Sequence, residues 1–145
     1  MSVINLGNVK DSGPEIDAKM QEAITEKKCD LIVTSGGVSM GELDLIKPYI
    51  ELKGEVFFGR LNMKPGKPTT FGRIRNTLLL ALPGNPVSCF VTASLFLKPM
   101  LSILANSHLD NEDTLFSHHV IEAQFLPSKV KLDPIRPEYH RCTLY

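Results

Sequence analysis

Residues 30–44 read DLIVTSGGVSMGELD. The first six, Asp30–Ser35, are an apolar run of β type, fit for a buried parallel strand. They break directly into Gly36-Gly37. Glycines behind a strand let backbone N–H groups come close to an anion. Upstream, Ser2–Leu6 is predicted as a short strand and Gly7–Gly13 as a loop. Ser12 and Glu15 have capping-box spacing, and Pro14 suits a first helical turn. Ile16, Met20, Ala23 and Ile24 then recur at helical spacing, and Lys27-Lys28 complement the dipole at the helix end. Downstream, Leu43–Lys53 is predicted helical, with Pro48 near its first turn and Gly54 as its stop.

Glu55–Phe58 and Thr77–Leu82 read as further strands, the latter paired with Thr69–Arg73 in a hairpin through Ile74–Asn76. Pro83–Pro86 is a tight loop, with Asn85 as N-cap and Pro86 at the first helical position. The helix that follows runs from Val87 to about Ala105. Its dense apolar content predicts core burial, and Pro99 should kink or restart it. The order β-α-β-α-β-β-β-α predicts an α/β three-layer domain with a mostly parallel sheet. Ligands of such folds gather outside the carboxyl ends of the strands, where Gly36-Gly37 and Pro83-Gly84 both fall.

Composition shifts after Ser107. Residues 1–107 read as the α/β domain and 108–117, polar and acidic, as a linker. Residues 118–145 read as the start of a truncated β-rich unit, with strands at His118–Phe125 and Glu138–Tyr145. Two strands do not make an independent domain.

The chain has 145 residues, 43% hydrophobic, with 16 basic and 16 acidic side chains. A formal charge of zero offers no basic field for nucleic acid and no polybasic patch for a membrane surface, so a small molecule or another protein is the expected partner. Cys29, Cys89 and Cys142 lack CxxC spacing and read as reduced, mostly buried thiols. No signal-peptide pattern opens the chain. No run of about 18 uninterrupted apolar residues occurs, so no membrane insertion is expected. Together these predict a cytoplasmic protein. His108, His118, His119 and His140 have no metal spacing.

Three segments can carry chemistry, each with an ordinary structural reading beside the functional one. In Ser35–Asp44, the glycine amides with Ser35 and Ser39 suit an anion, and Glu42 and Asp44 are oxygen ligands suited to Mg²⁺; alternatively this is a glycine turn with Asp44 capping a helix. In Arg60–Pro68 (RLNMKPGKP), two prolines and Gly66 stiffen a loop that can aim Lys64 and Lys67 at one oxyanion, with Arg60 as a bidentate addition; alternatively the lysines are solvated. In Leu82–Ser88 (LPGNPVS), free N–H groups at a helix start and the Ser88 hydroxyl suit an anion; alternatively this is capping alone. Asp11 joins the acidic set or caps a helix.

In this order and spacing, DLIVTSGGVSMGELDLIKP, FFGRLNMKPGKPTTFG and LLLALPGNPVSCFVTASLF closely resemble the molybdopterin molybdotransferase family, which includes bacterial enzymes and the E domain of gephyrin. The match covers roughly Val3–Leu101, and LDPIRPEYHRC resembles the start of the family's last β-subdomain. The resemblance implies the three-layer α/β/α molybdopterin-binding fold. The family's upstream strand with its acidic TGDE-type loop has no match, so the first strand is expected to be missing. The implied reaction inserts molybdate into adenylated molybdopterin with Mg²⁺ and releases AMP. Carried over by position, Asp44, Lys64, Lys67 and Ser88 become catalytic residues. Ser35, Gly36, Gly37, Ser39, Lys47, Arg60, Pro83, Gly84, Asn85 and Pro86 become cofactor-binding residues, and Asp11, Glu42 and Asp44 metal ligands. A homodimer is implied for the full-length family member. Alternatives are a gephyrin-like scaffold for inhibitory receptors, with receptor or cytoskeletal partners, and a molybdopterin adenylyltransferase.

Overall fold

The computed structural model describes residues 2–38, 44–105, 122–124 and 131–143. Among the described residues four strands form one sheet: β1 (Leu31–Ser35), β2 (Glu55–Gly59), β3 (Thr70–Ile74) and β4 (Thr77–Leu82), in spatial order β1-β4-β3-β2. β1 pairs β4 in parallel, whereas β3 pairs both β4 and β2 antiparallel. The sheet is therefore mixed, not mostly parallel as the element order suggested. The predicted β3–β4 hairpin is present, with Arg75 at φ 54° in its turn. A hairpin reverses chain direction, so β3 opposes its neighbour. β2 opposes β3 in turn and again runs with β1 and β4. The C-terminal ends of β1, β2 and β4 thus share one edge.

The helices cover both faces. α1 (Gly13–Gln21), continued by a π-helical turn at Glu22–Glu26, and α2 (Ile46–Lys53) pack on one face. Their buried Ile16, Met20, Ile24, Ile46 and Ile50 form one cluster with Ile74, Leu79 and Ala81 of the sheet. All four apolar positions predicted for the first helix are buried. Its capping box is not formed: Ser12 makes no side-chain cap hydrogen bond, and only its carbonyl accepts from Ile16 N. α2 ends where Gly54 N–H donates to Ile50 O at 2.8 Å.

The opposite face carries α3 (Pro86–Thr92), a π-helical stretch at Ala93–Leu97 and α4 (Lys98–Leu104). The π stretch ends where Pro99 opens α4, since a proline in the helix body removes one hydrogen bond and displaces the turn before it. Phe96 meets Phe58 of β2 with ring centroids 5.7 Å apart, and Phe58 meets Phe71 of β3 at 5.5 Å. The expected core burial of this helix is confined to one stripe. Val91 and Thr92 are its buried residues, while Phe90 stays 63% exposed and Ile103 and Leu104 also face outward. Residues 86–104 are long and apolar enough to cross a bilayer by those two measures alone. Here their buried stripe lies against the sheet.

Four further expectations are corrected. Ser2–Leu6 forms no strand: no neighbour pairs it among the described residues, and Val3 is 89% exposed. Among the described residues β1 has a neighbour on one side only, and Val33 is partly exposed, so the strand is not buried. None of the thiols is fully buried; Cys29 and Cys89 are half-buried and Cys142 is exposed, all three free. Of the predicted Glu138–Tyr145 strand, Glu138 forms an isolated bridge to Lys64, and residues 139–143 hold no strand. His118–Phe125 and 108–117 fall outside the described residues, apart from Glu122–Gln124, which have no regular structure.

Candidate functional site

The three loops singled out in the sequence leave the sheet at its common C-terminal edge, and the structure ties them together in pairs. Gly36 follows β1 with φ 90° and donates its N–H to Leu82 O of β4 at 3.0 Å. Gly84 then passes so near that a Cβ placed on it would meet Gly36 Cα at 3.4 Å. The first and third loops are therefore in backbone contact. The second loop reaches α3, the helix that the third loop opens, through Gly66. A Cβ there would lie 2.5 Å from Thr92 Cγ2, so only a glycine lets the chain press onto α3. Thr92, fully buried, hydrogen-bonds Ser88 O at 2.8 Å and Cys89 O at 3.3 Å. Gly66 thus rests one helical turn from Ser88.

Much of the backbone donor capacity expected at the helix starts is already engaged. Gly37 O accepts from Leu45 N at 3.0 Å and Ile46 N at 3.2 Å, and Asp44 Oδ1 accepts from Lys47 N at 3.3 Å. At α3, Asn85 Oδ1 accepts from Val87 N at 3.0 Å and Ser88 N at 3.2 Å. Asn85 is the cap the sequence predicted, but this cap removes the free N–H groups expected there to receive an anion. The positive end of the helix dipole and the Ser88 hydroxyl remain at the site. Asn85→Ala is expected to leave two amides uncapped and to lower stability by about 1 kcal/mol. A drop in urea midpoint checks this; an unchanged midpoint would refute the cap's contribution.

The cations divide. Lys67 is half-buried, with its carbonyl accepting from Leu61 N at 2.8 Å, and its ammonium has no ion-pair partner among the described residues. Arg60, at φ 66°, is exposed directly after β2. Lys47 lies along Gly59 and reaches Glu51 at 3.5 Å. Lys64 is not solvated as a lone cation: its Nζ is 2.6 Å from Glu138 Oε1 and 3.9 Å from Asp133 Oδ2. Its backbone is held too, Lys64 N donating to Pro137 O and Lys64 O accepting from Tyr139 N. Sequence reasoning missed this clasp. Its one signal was the acidic and basic alternation of DPIRPEYHR.

Local geometry sets the charges in the clasp. Backbone amides of Ile135 and Arg136 and the Arg136 guanidinium hold the Asp133 carboxyl down at about 2. The Lys64 ammonium holds Glu138 below its usual range. Both folded values lie below the unfolded ones, so the clasp is complete above the ordinary carboxylate range and is lost as pH falls towards about 2. Protection of the Tyr139 amide from exchange should therefore decline between about pH 4 and pH 2; constant protection across that window would contradict the assignment.

Ser35 is exposed at the end of β1, Pro83 is buried, and Gly84, Asn85 and Pro86 are exposed. Asp11 is exposed and makes no hydrogen bond or ion pair to the three loops among the described residues. Ser39 and Glu42 lie outside the described residues. Among the described residues no group of three or more His, Cys, Asp or Glu could hold a metal.

Helices on both faces of a mixed sheet, with three glycine- and proline-rich loops leaving it at one strand edge, define an α/β domain whose candidate site lies at the strand ends. Residues 1–102 match the family described as "Probable molybdopterin binding domain", and the chain belongs to that family. Gephyrin of Dictyostelium discoideum is 46% identical over 134 residues, covering 81% of this chain and 18% of gephyrin. A molybdopterin molybdenumtransferase of Haemophilus influenzae is 41% identical over 102 residues, covering 70% of this chain and 25% of that protein. The crystal structure of a molybdopterin biosynthesis protein from Pyrococcus horikosii superposes with a TM-score of 0.57 at 32% identity, covering 66% of this chain and 22% of that one. The chain thus spans a quarter or less of the length of these relatives.

Proposed function

We propose that this chain supplies the pterin- and phosphate-binding part of a molybdopterin molybdotransferase, which inserts molybdate into adenylated molybdopterin and releases AMP. The observation that carries the reading is the meeting of the three loops at one edge through the Gly36–Gly84 and Gly66–Thr92 contacts. The names of the relatives support the pathway. Ser35, Gly36 and Gly37 form one wall of the site, with Ser39 following, and Pro83–Ser88 the other. Lys67, Lys64 and Arg60 neutralise phosphate or molybdate oxygens, and Ser88 donates its hydroxyl at the dipole-positive end of α3.

Asp44 fits Mg²⁺ through its donor chemistry. One carboxylate oxygen accepts from Lys47 N, and the other has no partner among the described residues. Mg²⁺ takes one or two carboxylates together with substrate phosphates, so Asp44 would hold it, with Glu42 and Asp11 as further candidates. Bound there, the ion would draw charge from the phosphoanhydride oxygens. Residence in the cytoplasm and a homodimer of the longer protein belong to the same proposal.

Calorimetry of the full chain with adenylated molybdopterin and Mg²⁺ tests the reading, with binding expected. Absence of heat at saturating ligand, also after addition of the remaining segments of a full-length relative, would overturn it. The 46% identity to gephyrin favours a second reading, a receptor scaffold; retention of a receptor-loop peptide without any cofactor binding would select it. AMP transfer to molybdopterin instead of AMP release would select the adenylyltransferase alternative.

A further inference from the structure

The clasp at Lys64 is built beyond what holding a loop requires. The Glu138 side chain is only 7% exposed and Asp133 12%, yet the Lys64 side chain they surround remains 49% exposed. Arg136 engages Asp133 Oδ2 through both Nη2, at 2.7 Å, and Nε, at 3.2 Å, and the Asp133 Oδ1 atom takes two backbone amides. Asp133 is thereby fully engaged without Lys64. Glu138 Oε2 meets His140 Nε2 at 3.0 Å, whereas its Oε1 is given to Lys64. Two backbone hydrogen bonds, at 2.9 and 2.8 Å, fix Glu138 at this register beside the loop.

We infer that Glu138 is an internal counter-anion of the candidate site, so that Lys64 is shared between the 131–143 segment and the ligand's oxyanion while Lys67 serves the oxyanion alone. This rests on the oxyanion-binding reading of the site. An oxyanion on the open side of Lys64 Nζ stands within one or two ion diameters of the Glu138 carboxylate, and the two repel. Glu138 therefore tunes affinity downward and favours release of the anion.

Glu138→Gln separates charge from positioning. The amide oxygen still accepts from Lys64 Nζ, so the lysine stays placed while the negative charge beside it is removed. The test is protection of individual lysines from acetylation, read by mass spectrometry on the full chain, with molybdate and inorganic phosphate as titrants. In E138Q the half-protecting concentration of either oxyanion at Lys64 should fall by about three- to tenfold, with a smaller change at Lys67. Without any anion, Lys64 should acetylate faster in E138Q than in the parent chain. Protection at Lys67 with an unchanged or raised half-protecting concentration at Lys64 would overturn this inference and leave the proposed function standing. Protection at neither lysine would overturn both. In the Lys67→Ala background the E138Q effect at Lys64 should persist, because it does not pass through Lys67; its disappearance there would also overturn the inference.

Discussion

Gly66→Ala is expected to unseat the lysine-bearing loop and to weaken oxyanion binding by more than about tenfold, through strain and overpacking together. Gly66 sits at φ 113°, where L-residues are strained. A Cβ there would also fall 2.5 Å from Thr92 Cγ2 and 3.2 Å from the Met63 thioether. Thr92 cannot yield, being fully buried and hydrogen-bonded to the carbonyls of its own helix. The combined cost should be about 2–5 kcal/mol of folding stability. Urea unfolding and molybdate dialysis read the two effects. Thr92→Ser in the same chain removes Cγ2 and keeps the hydroxyl, so it should recover part of the loss but not the backbone strain. A wild-type midpoint for Gly66→Ala would mean that the loop does not depend on this contact.

Lys67→Ala should produce the largest loss of oxyanion affinity among the three cations, about tenfold or more, as expected for one charge-assisted hydrogen bond. Lys67 has no ion-pair partner among the described residues, whereas Lys64 already faces Glu138 at 2.6 Å. Lys64→Ala should therefore cost less, about threefold, since much of its field is cancelled before the ligand arrives. The loss in Lys67→Ala should not be traceable to unfolding, because Lys67 is only half-buried; its stability should shift by no more than about 1 kcal/mol. Calorimetric titration with molybdate ranks the two variants. An equal or larger loss for Lys64→Ala would reverse the division of labour.

The pieces of the fold that depend on neighbours in sequence were legible. The stripe Ile16, Met20, Ala23 and Ile24 marks a helix because a 3.6-residue period puts these side chains on one face, and all four are buried. Asn85 before Pro86 marks a helix start, and its side chain takes the two expected amides. The three loops of the candidate site were legible for the same reason: glycine and proline restrict or release the backbone locally. Ser2–Leu6 shows the limit. Its residues suit a strand, but a strand needs a partner, and none pairs with it among the described residues.

The sequence by itself determined where the chain turns, which stripes are apolar and which short motifs can meet an anion, because these follow from dihedral preferences and side-chain chemistry within a few residues. Tertiary structure alone decided that the sheet is mixed, since strand direction depends on pairing across the chain. It also decided that the Pro86–Leu104 helix buries one stripe and leaves the rest open, because burial depends on what lies opposite. And it alone decided that the two lysines of MKPGKP are unlike. One meets a carboxylate brought from the far end of the chain and the other does not, and a Coulomb interaction is set by distance in space, whatever the separation along the sequence.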